Sequence, residues 1–231
     1  MKAVINYGHG PKDIGYDPGA IGPTGYQEAT ETREVGVKVV EKLKANGWDV
    51  LAIQDGDLED ITDQSNDFKP DAFLSIHADS FTDPGAHGTT TFALAPGGLG
   101  EKIAKEIQKE LVSATGLTDR GVKFAEYWVL RKTIGYPAVL TEIGFISNPV
   151  EEALMKQDSW DDKVANAICK GLSRAVGVAY VEGVAGVADT TKKVIAPDDI
   201  YLTVRVRESL ADQAIKDINK LGFAAKRLEL A

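Results

Sequence analysis

Residues 72–77, Ala72-Phe73-Leu74-Ser75-Ile76-His77, form a short apolar run closed by an imidazole. A continuous apolar run of this length, bounded by polar residues, reads as a buried β-strand. The same pattern recurs at Lys2–Asn6, Asp49–Ile53, Thr89–Ala93, Tyr127–Leu130 and Ala138–Ile143. Helical periods lie between these runs. Val35, Val39 and Leu43 repeat every four residues, with Gly47 where a helix C-cap is expected. Ile103, Ile107 and Leu111 mark a second helix that stops at Gly116. Val164, Ile168, Leu172 and Val176 mark a third, which Ser159 and Asp162 open with the spacing of a capping box. Strands alternating with helices define an α/β domain. The expected fold is a mixed six-stranded sheet with helices on both faces, over residues 1–180.

Beyond it, residues 181–193 (VEGVAGVADTTKK) show no period, and 181–195 read as a linker. Leu202, Val204 and Val206 then alternate with polar neighbours as a half-buried strand. A helix follows from Ser209 through Leu210, Ala214, Ile218 and Leu221, and Phe223 to Leu230 returns as a strand. This small β-α-β module, 196–231, falls below the ~40 residues at which a domain usually needs help to fold. Pairing with a second copy, a homodimer through the module, is the economical way to cover it.

The chain has 231 residues and a formal net charge of −9, with one cysteine and three histidines. One cysteine excludes a disulfide framework and any Cys-rich metal site. Cys169 falls on the apolar side of the third helix and reads as an inert core thiol. The acidic balance argues against a nucleic-acid footprint. Residues 190–231 are the exception, with eight Lys/Arg against six Asp/Glu. No run approaches the ~20 apolar residues of a membrane span, so no membrane insertion is expected. The N-terminus, MKAVINYGHG, lacks the apolar stretch of a secretory signal, which predicts a cytoplasmic location.

Three histidines cap any imidazole metal site at three ligands. His9, in Gly8-His9-Gly10, follows the first strand, and His77 ends another. Open α/β sheets place their ligands at such C-terminal strand ends, so both rings are expected over one edge of the sheet. Asp79 is expected to orient His77. A catalytic zinc commonly takes two histidines and one carboxylate, leaving a position for water. Glu28, Glu31 and Glu34 on the first helix all compete for that third place, each equally readable as an acid complementing a helix N-terminus. Asp17, in Asp17-Pro18-Gly19-Ala20, reads more simply as a turn residue. Glu142 stands inside the apolar Pro137–Phe145 stretch, where an unpaired carboxylate is costly unless its pKa rises or a cation sits nearby. Either condition suits a general base acting on a water. His87, in a turn-rich stretch, reads as a loop residue, with a ligand or substrate contact as the alternative.

Together these segments resemble the zinc-dependent N-acetylmuramoyl-L-alanine amidases of the amidase-3 type. The resemblance rests on Asn6-Tyr7-Gly8-His9-Gly10, on Asp17-Pro18-Gly19-Ala20 with Gly22, Gly25 and Glu28, and on Phe73 to Asp79. Arg120-Gly121-Val122-Lys123, Val129-Leu130-Arg131 and Pro137 to Asn148 complete it in order. It implies His9, Glu28 and His77 as ligands of Zn2+, thereby choosing Glu28 over its competitors, and Glu142 as the catalytic residue. The implied reaction is hydrolysis of the amide between N-acetylmuramic acid and L-alanine in peptidoglycan. The alternatives are a zinc exopeptidase acting on peptides and a non-catalytic cell-wall-binding protein. Without a signal, the chain is similar to phage endolysins, or to sporulation autolysins, that reach the wall after release, and the tail module would target the wall or dimerise. Two departures stand out. Asp55 to Lys69 is short and lacks the family's usual arginine-bearing helix, and Pro11 to Tyr16 is an insertion in the opening loop.

Overall fold

A computed structural model describes residues 1–183; the expectations for the tail module, and for most of the linker, lie outside the described residues. The chain opens with β1 (Lys2–Tyr7), a hairpin of β2 (Gly10–Pro11) and β3 (Tyr16–Asp17), then α1 (Glu28–Ala45) and β4 (Asp49–Ile53). It continues through α2 (Leu58–Phe68), β5 (Ala72–Asp79), β6 (Thr89–Ala93), α3 (Gly98–Thr115) and β7 (Asp119–Phe124). Then come α4 (Trp128–Arg131), β8 (Ala138–Phe145), α5 (Pro149–Met155) and α6 (Asp158–Val176). The main sheet runs β4-β1-β5-β8-β6-β7. The first four strands are parallel, β6 is antiparallel to β8, and β7 is parallel to β6. This is the mixed six-stranded sheet expected from the sequence.

The two-residue period of a strand sorts the core onto two faces. Ala3, Ile5, Leu74 and Ile76 share one face and pack with Val35, Val39, Leu43, Ile103, Ile107, Val164, Ile168 and Leu172 from α1, α3 and α6. Val4, Phe73 and Leu140 share the other and pack with Ile61 of α2 and Val129 and Leu130 of α4. Along that second face the residues turn polar toward the strand ends: Val4 gives way to Asn6, Phe73 to Ser75 and His77, and Leu140 to Glu142. This parity sends Asn6, Ser75, His77 and Glu142 to the α2/α4 side.

Several sequence expectations need correction. Tyr127–Leu130 is not a strand; Trp128–Arg131 forms a helical turn whose Leu130 and Arg131 amides donate to the Tyr127 carbonyl. A four-residue apolar run carries no period, and here Val129 and Leu130 are both buried against α2. The sixth strand is β7, an edge strand rich in exposed charge. Edge strands are commonly guarded this way, so no apolar alternation announces them. Asp55 to Lys69 does hold a helix, α2, with no arginine on it; Asp57 and Asp60 cap it reciprocally. Its apolar content is thin, which hid it. The expected capping box at Ser159 does not form: α6 starts at Asp158, with Gln157 as N-cap and no side-chain cap, and Asp158 and Asp161 complement the dipole instead. Gly47 sits one residue past the C-cap Asn46, at φ +79°. Cys169 is a buried core thiol, and burial raises its pKa. Among the described residues no helix is long and apolar enough to cross a membrane.

Candidate active site

Three chain segments converge at the C-terminal ends of β1 and β5. Gly8-His9-Gly10 leaves β1 in a sharp turn with His9 at φ +63°, a conformation a residue with a Cβ adopts only where its surroundings hold it. His77 closes the regular part of β5, and Glu28 is the first residue of α1. Glu28 Oε2 lies 3.1 Å from His9 Nε2, and Oε1 lies 3.0 Å from His77 Nδ1. The amides of Ala20 and Ala78 donate to the same two oxygens, at 2.9 and 3.1 Å. The two imidazoles meet edge to face, 5.1 Å between centroids. One ligand atom from each of His9, Glu28 and His77 lies within 4.8 Å of the other two.

Small residues keep this space open. A Cβ on Gly8 would fall 2.5 Å from His77 Cε1 and 2.7 Å from the Ile76 carbonyl. One on Gly19, already at φ +67°, would fall 2.6 Å from both Glu28 Oε2 and His9 Cδ2. Asp17 fixes the back of His9, its Oδ2 3.0 Å from Nδ1, while Lys12 Nζ reaches the same oxygen at 3.0 Å. Its Oδ1 accepts from the Gly19 amide at 3.0 Å. Asp17 is thus the turn residue expected and also the imidazole's partner, which the sequence reading missed. The inserted Pro11–Tyr16 segment is the β2–β3 hairpin that carries Lys12.

The electrostatics follow from these contacts. Burial opposes a charged His9, but the carboxylates of Glu28 and Asp17 outweigh it and push its pKa up to about 9. Burial likewise opposes ionised Glu28, yet the two imidazoles hold its carboxyl well below the usual range. Asp17 is drawn down to about 2 against burial by His9, the Gly19 amide and Lys12.

The other candidate acids fall elsewhere. Glu31 is fully buried and Glu34 lies nearby, both receiving the Tyr26 hydroxyl, at 3.0 and 2.7 Å. Neither reaches the imidazoles. Asp79 does not orient His77: the pairing of β5 with β8 shifts register between His77 and Asp79, and the Asp79 carboxylate accepts from the Ser80 amide instead. His87 is an exposed loop residue whose Nδ1 meets the Gly85 carbonyl, away from the site. Glu142 is on β8 directly opposite His77 in register. Its Oε2 is buried with no hydrogen-bond partner, and burial, then Glu28 and Asp79, push its pKa well above the ordinary value.

Residues 3–174 match the family described as N-acetylmuramoyl-L-alanine amidase. The chain belongs to that family. The amidase is similar to the uncharacterized protein YqiI of Bacillus subtilis, 33% identical over 174 residues that cover 73% of this chain and 81% of that protein. It is 31% identical to the N-acetylmuramoyl-L-alanine amidase LytC of the same organism, over 72% of this chain but only 34% of LytC. Among solved structures, the catalytic domain of CwlV, an N-acetylmuramoyl-L-alanine amidase from Bacillus (Paenibacillus) polymyxa, superposes with a TM-score of 0.71 at 32% identity. That match covers 77% of this chain and 99% of the CwlV domain. In this amidase a cavity of about 370 Å³ opens over His9, His77 and Glu142. Its polar wall is the β2–β3 hairpin with Lys12, and its apolar wall is Leu58 and Ile61 of α2 with Trp128 and Val129 of α4. The arginine-free α2 therefore contributes aliphatic surface where it meets the site.

Proposed function

We propose that this amidase hydrolyses the amide joining the lactyl group of N-acetylmuramic acid to L-alanine, with Zn2+ held by His9, Glu28 and His77 and with Glu142 as the general base. The observation that carries the reading is the convergence of two imidazole nitrogens and one carboxylate oxygen within 4.8 Å, under a cavity that Glu142 also lines. That donor set suits a borderline cation and leaves room for a water and a substrate oxygen. The glycines that a Cβ would close off fit the same purpose. When bound, zinc supplies Lewis acidity to the scissile carbonyl and to the attacking water.

The protein's own groups do the rest. Asp17 meets His9 Nδ1 at 3.0 Å, which turns Nε2 toward Glu28, where a metal would be held. The buried, unpartnered Oε2 of Glu142, lining the same cavity, is placed to take the water's proton and return it to the amide nitrogen. As the water oxygen bonds to the carbonyl carbon, the C–N bond breaks and the protonated amine of L-alanine leaves. Mass spectrometry of fragments released from purified walls tests the proposal: intact stem peptides with a free L-alanine amine are expected, whereas shortened peptides would assign the chain to the exopeptidases.

A further inference from the structure

Among the polar groups of the cavity that the proposed mechanism does not use is the phenol of Tyr127. Tyr127 lines the same cavity as His9, His77 and Glu142. It is 43% exposed, and its hydroxyl has no hydrogen-bond partner among the described residues. Its position is nevertheless well fixed. The backbone is tied down as the N-cap of α4, with the carbonyl receiving two amides. The ring stands edge-on to Phe92, 5.1 Å between centroids. Phe92 in turn pairs with Leu140 across the β6–β8 ladder, and Thr90, two residues earlier, pairs with Glu142. Strand periodicity places Phe92, Leu140 and Glu142 on one face, so the phenol is anchored over the same patch of sheet as the general base. Burial, then the charges of Glu142 and Asp79, raise the phenol's pKa, so it keeps its proton and serves as a donor.

A fixed, protonated, unpartnered hydroxyl in the same cavity as the proposed general base suits the place where negative charge develops. We infer that Tyr127 is a further catalytic residue of this amidase, its hydroxyl donating a hydrogen bond to the scissile carbonyl oxygen as that oxygen becomes an oxyanion. No proton is transferred: the water oxygen bonds to carbon, the carbonyl π pair moves to oxygen, and the Tyr127 O–H points at the charge. The inference rests on the reaction proposed above.

The test is Tyr127→Phe, which removes a hydroxyl that holds nothing in the fold and so leaves the fold intact. Loss of one such donor typically costs ~10²–10³ in kcat. The expected result on a soluble muramoyl peptide is a fall in kcat of at least tenfold, with KM within threefold and bound zinc unchanged by elemental analysis. Without turnover, calorimetry with a phosphinate isostere of the scissile amide should show a matching loss of affinity, while affinity for the released stem peptide stays the same. Unchanged kcat, a change confined to KM, or loss of zinc alongside activity would each overturn the inference. If the unsubstituted enzyme fails to release stem peptides, the proposed reaction fails instead, and the two failures are read separately.

Discussion

His77 and Glu142 occupy paired register positions on neighbouring parallel strands, β5 and β8. Opposed residues in a ladder project to the same face, so the two side chains are set side by side by backbone hydrogen bonds before any loop is placed. One carries a nitrogen proposed above as a metal ligand and the other an unpartnered buried carboxyl oxygen. The proposed ligand His77 and the proposed base Glu142 are thus held by the centre of the sheet, while His9 and Glu28 come from a turn and a helix start.

Glu142→Gln keeps the shape of the side chain and removes its basicity. We expect kcat to fall by ~10²–10⁴, the usual contribution of a general base, with zinc content unchanged by elemental analysis. Near-full activity would remove Glu142 from the mechanism.

Asp17→Asn keeps the turn, because the amide oxygen still accepts from Gly19, but weakens the hold on His9 Nδ1. Outer partners of metal ligands are worth ~10–100-fold in affinity, so zinc should be released to a competing chelator at correspondingly lower concentration. An unchanged chelator titration would show that the 3.0 Å contact has no part in metal binding.

Gly8→Ala places a methyl group 2.5 Å from the His77 ring and 2.7 Å from the Ile76 carbonyl. The carbonyl belongs to the sheet and cannot yield, so the ring must. A drop in zinc affinity of at least tenfold is expected, with a lowered Tm; wild-type zinc affinity would mean that the loop moves instead.

A pair of buried acids, Glu31 and Asp161, contributes to the pH dependence of stability. Glu31 is fully buried between α1 and α6, with Oε1 unpartnered, facing Tyr26, Glu34, Trp160 and Asp161. Asp161 is 4% exposed, its Oδ1 also unpartnered, and burial followed by Glu34 and Asp158, against Lys38, pushes its pKa up to about 7. Glu31 is raised as well, by burial first and then by Asp161. The folded state therefore binds these protons more tightly than the unfolded chain. Their contribution is fully present below the ordinary carboxylate range, ~4, and is lost as pH rises toward 7 and beyond. Tm should fall between pH 5 and 8, and Asp161→Asn or Glu31→Gln should flatten that fall. Parallel curves for variants and wild type would refute the assignment.

The sequence exposed what the sheet buries and hid what lies at its margins. β1, β5, β6 and β8 announce themselves because central strands read as apolar runs, and β4, at the other edge, still shows the short run Val50 to Ile53. β7 carries Asp119, Arg120 and Lys123 on an exposed edge and has no such run. The Tyr127–Leu130 segment has apolar residues but too few to show a period, and it folded as a helical turn. His9 and His77 were legible as strand-end imidazoles. Glu28 was not separable from Glu31 and Glu34 by spacing, since all three lie on one helix; which of them reaches the imidazoles depends on where α1 begins. Asp17 was read through its local turn alone because sequence spacing does not show that its second oxygen meets a ring eight residues away. Asp79 was misplaced because two-residue alternation fails at the register shift.

The proposed zinc-dependent cleavage at the muramoyl–L-alanine bond leaves a distinctive pair of products. Its most direct test is mass spectrometry of purified peptidoglycan digested by the zinc-loaded chain, with His77→Ala in parallel. Intact stem peptides with free L-alanine amines and glycan strands bearing free lactyl carboxylates are expected, and neither product from the variant. Peptides shortened at another bond, or equal release by His77→Ala, would contradict it.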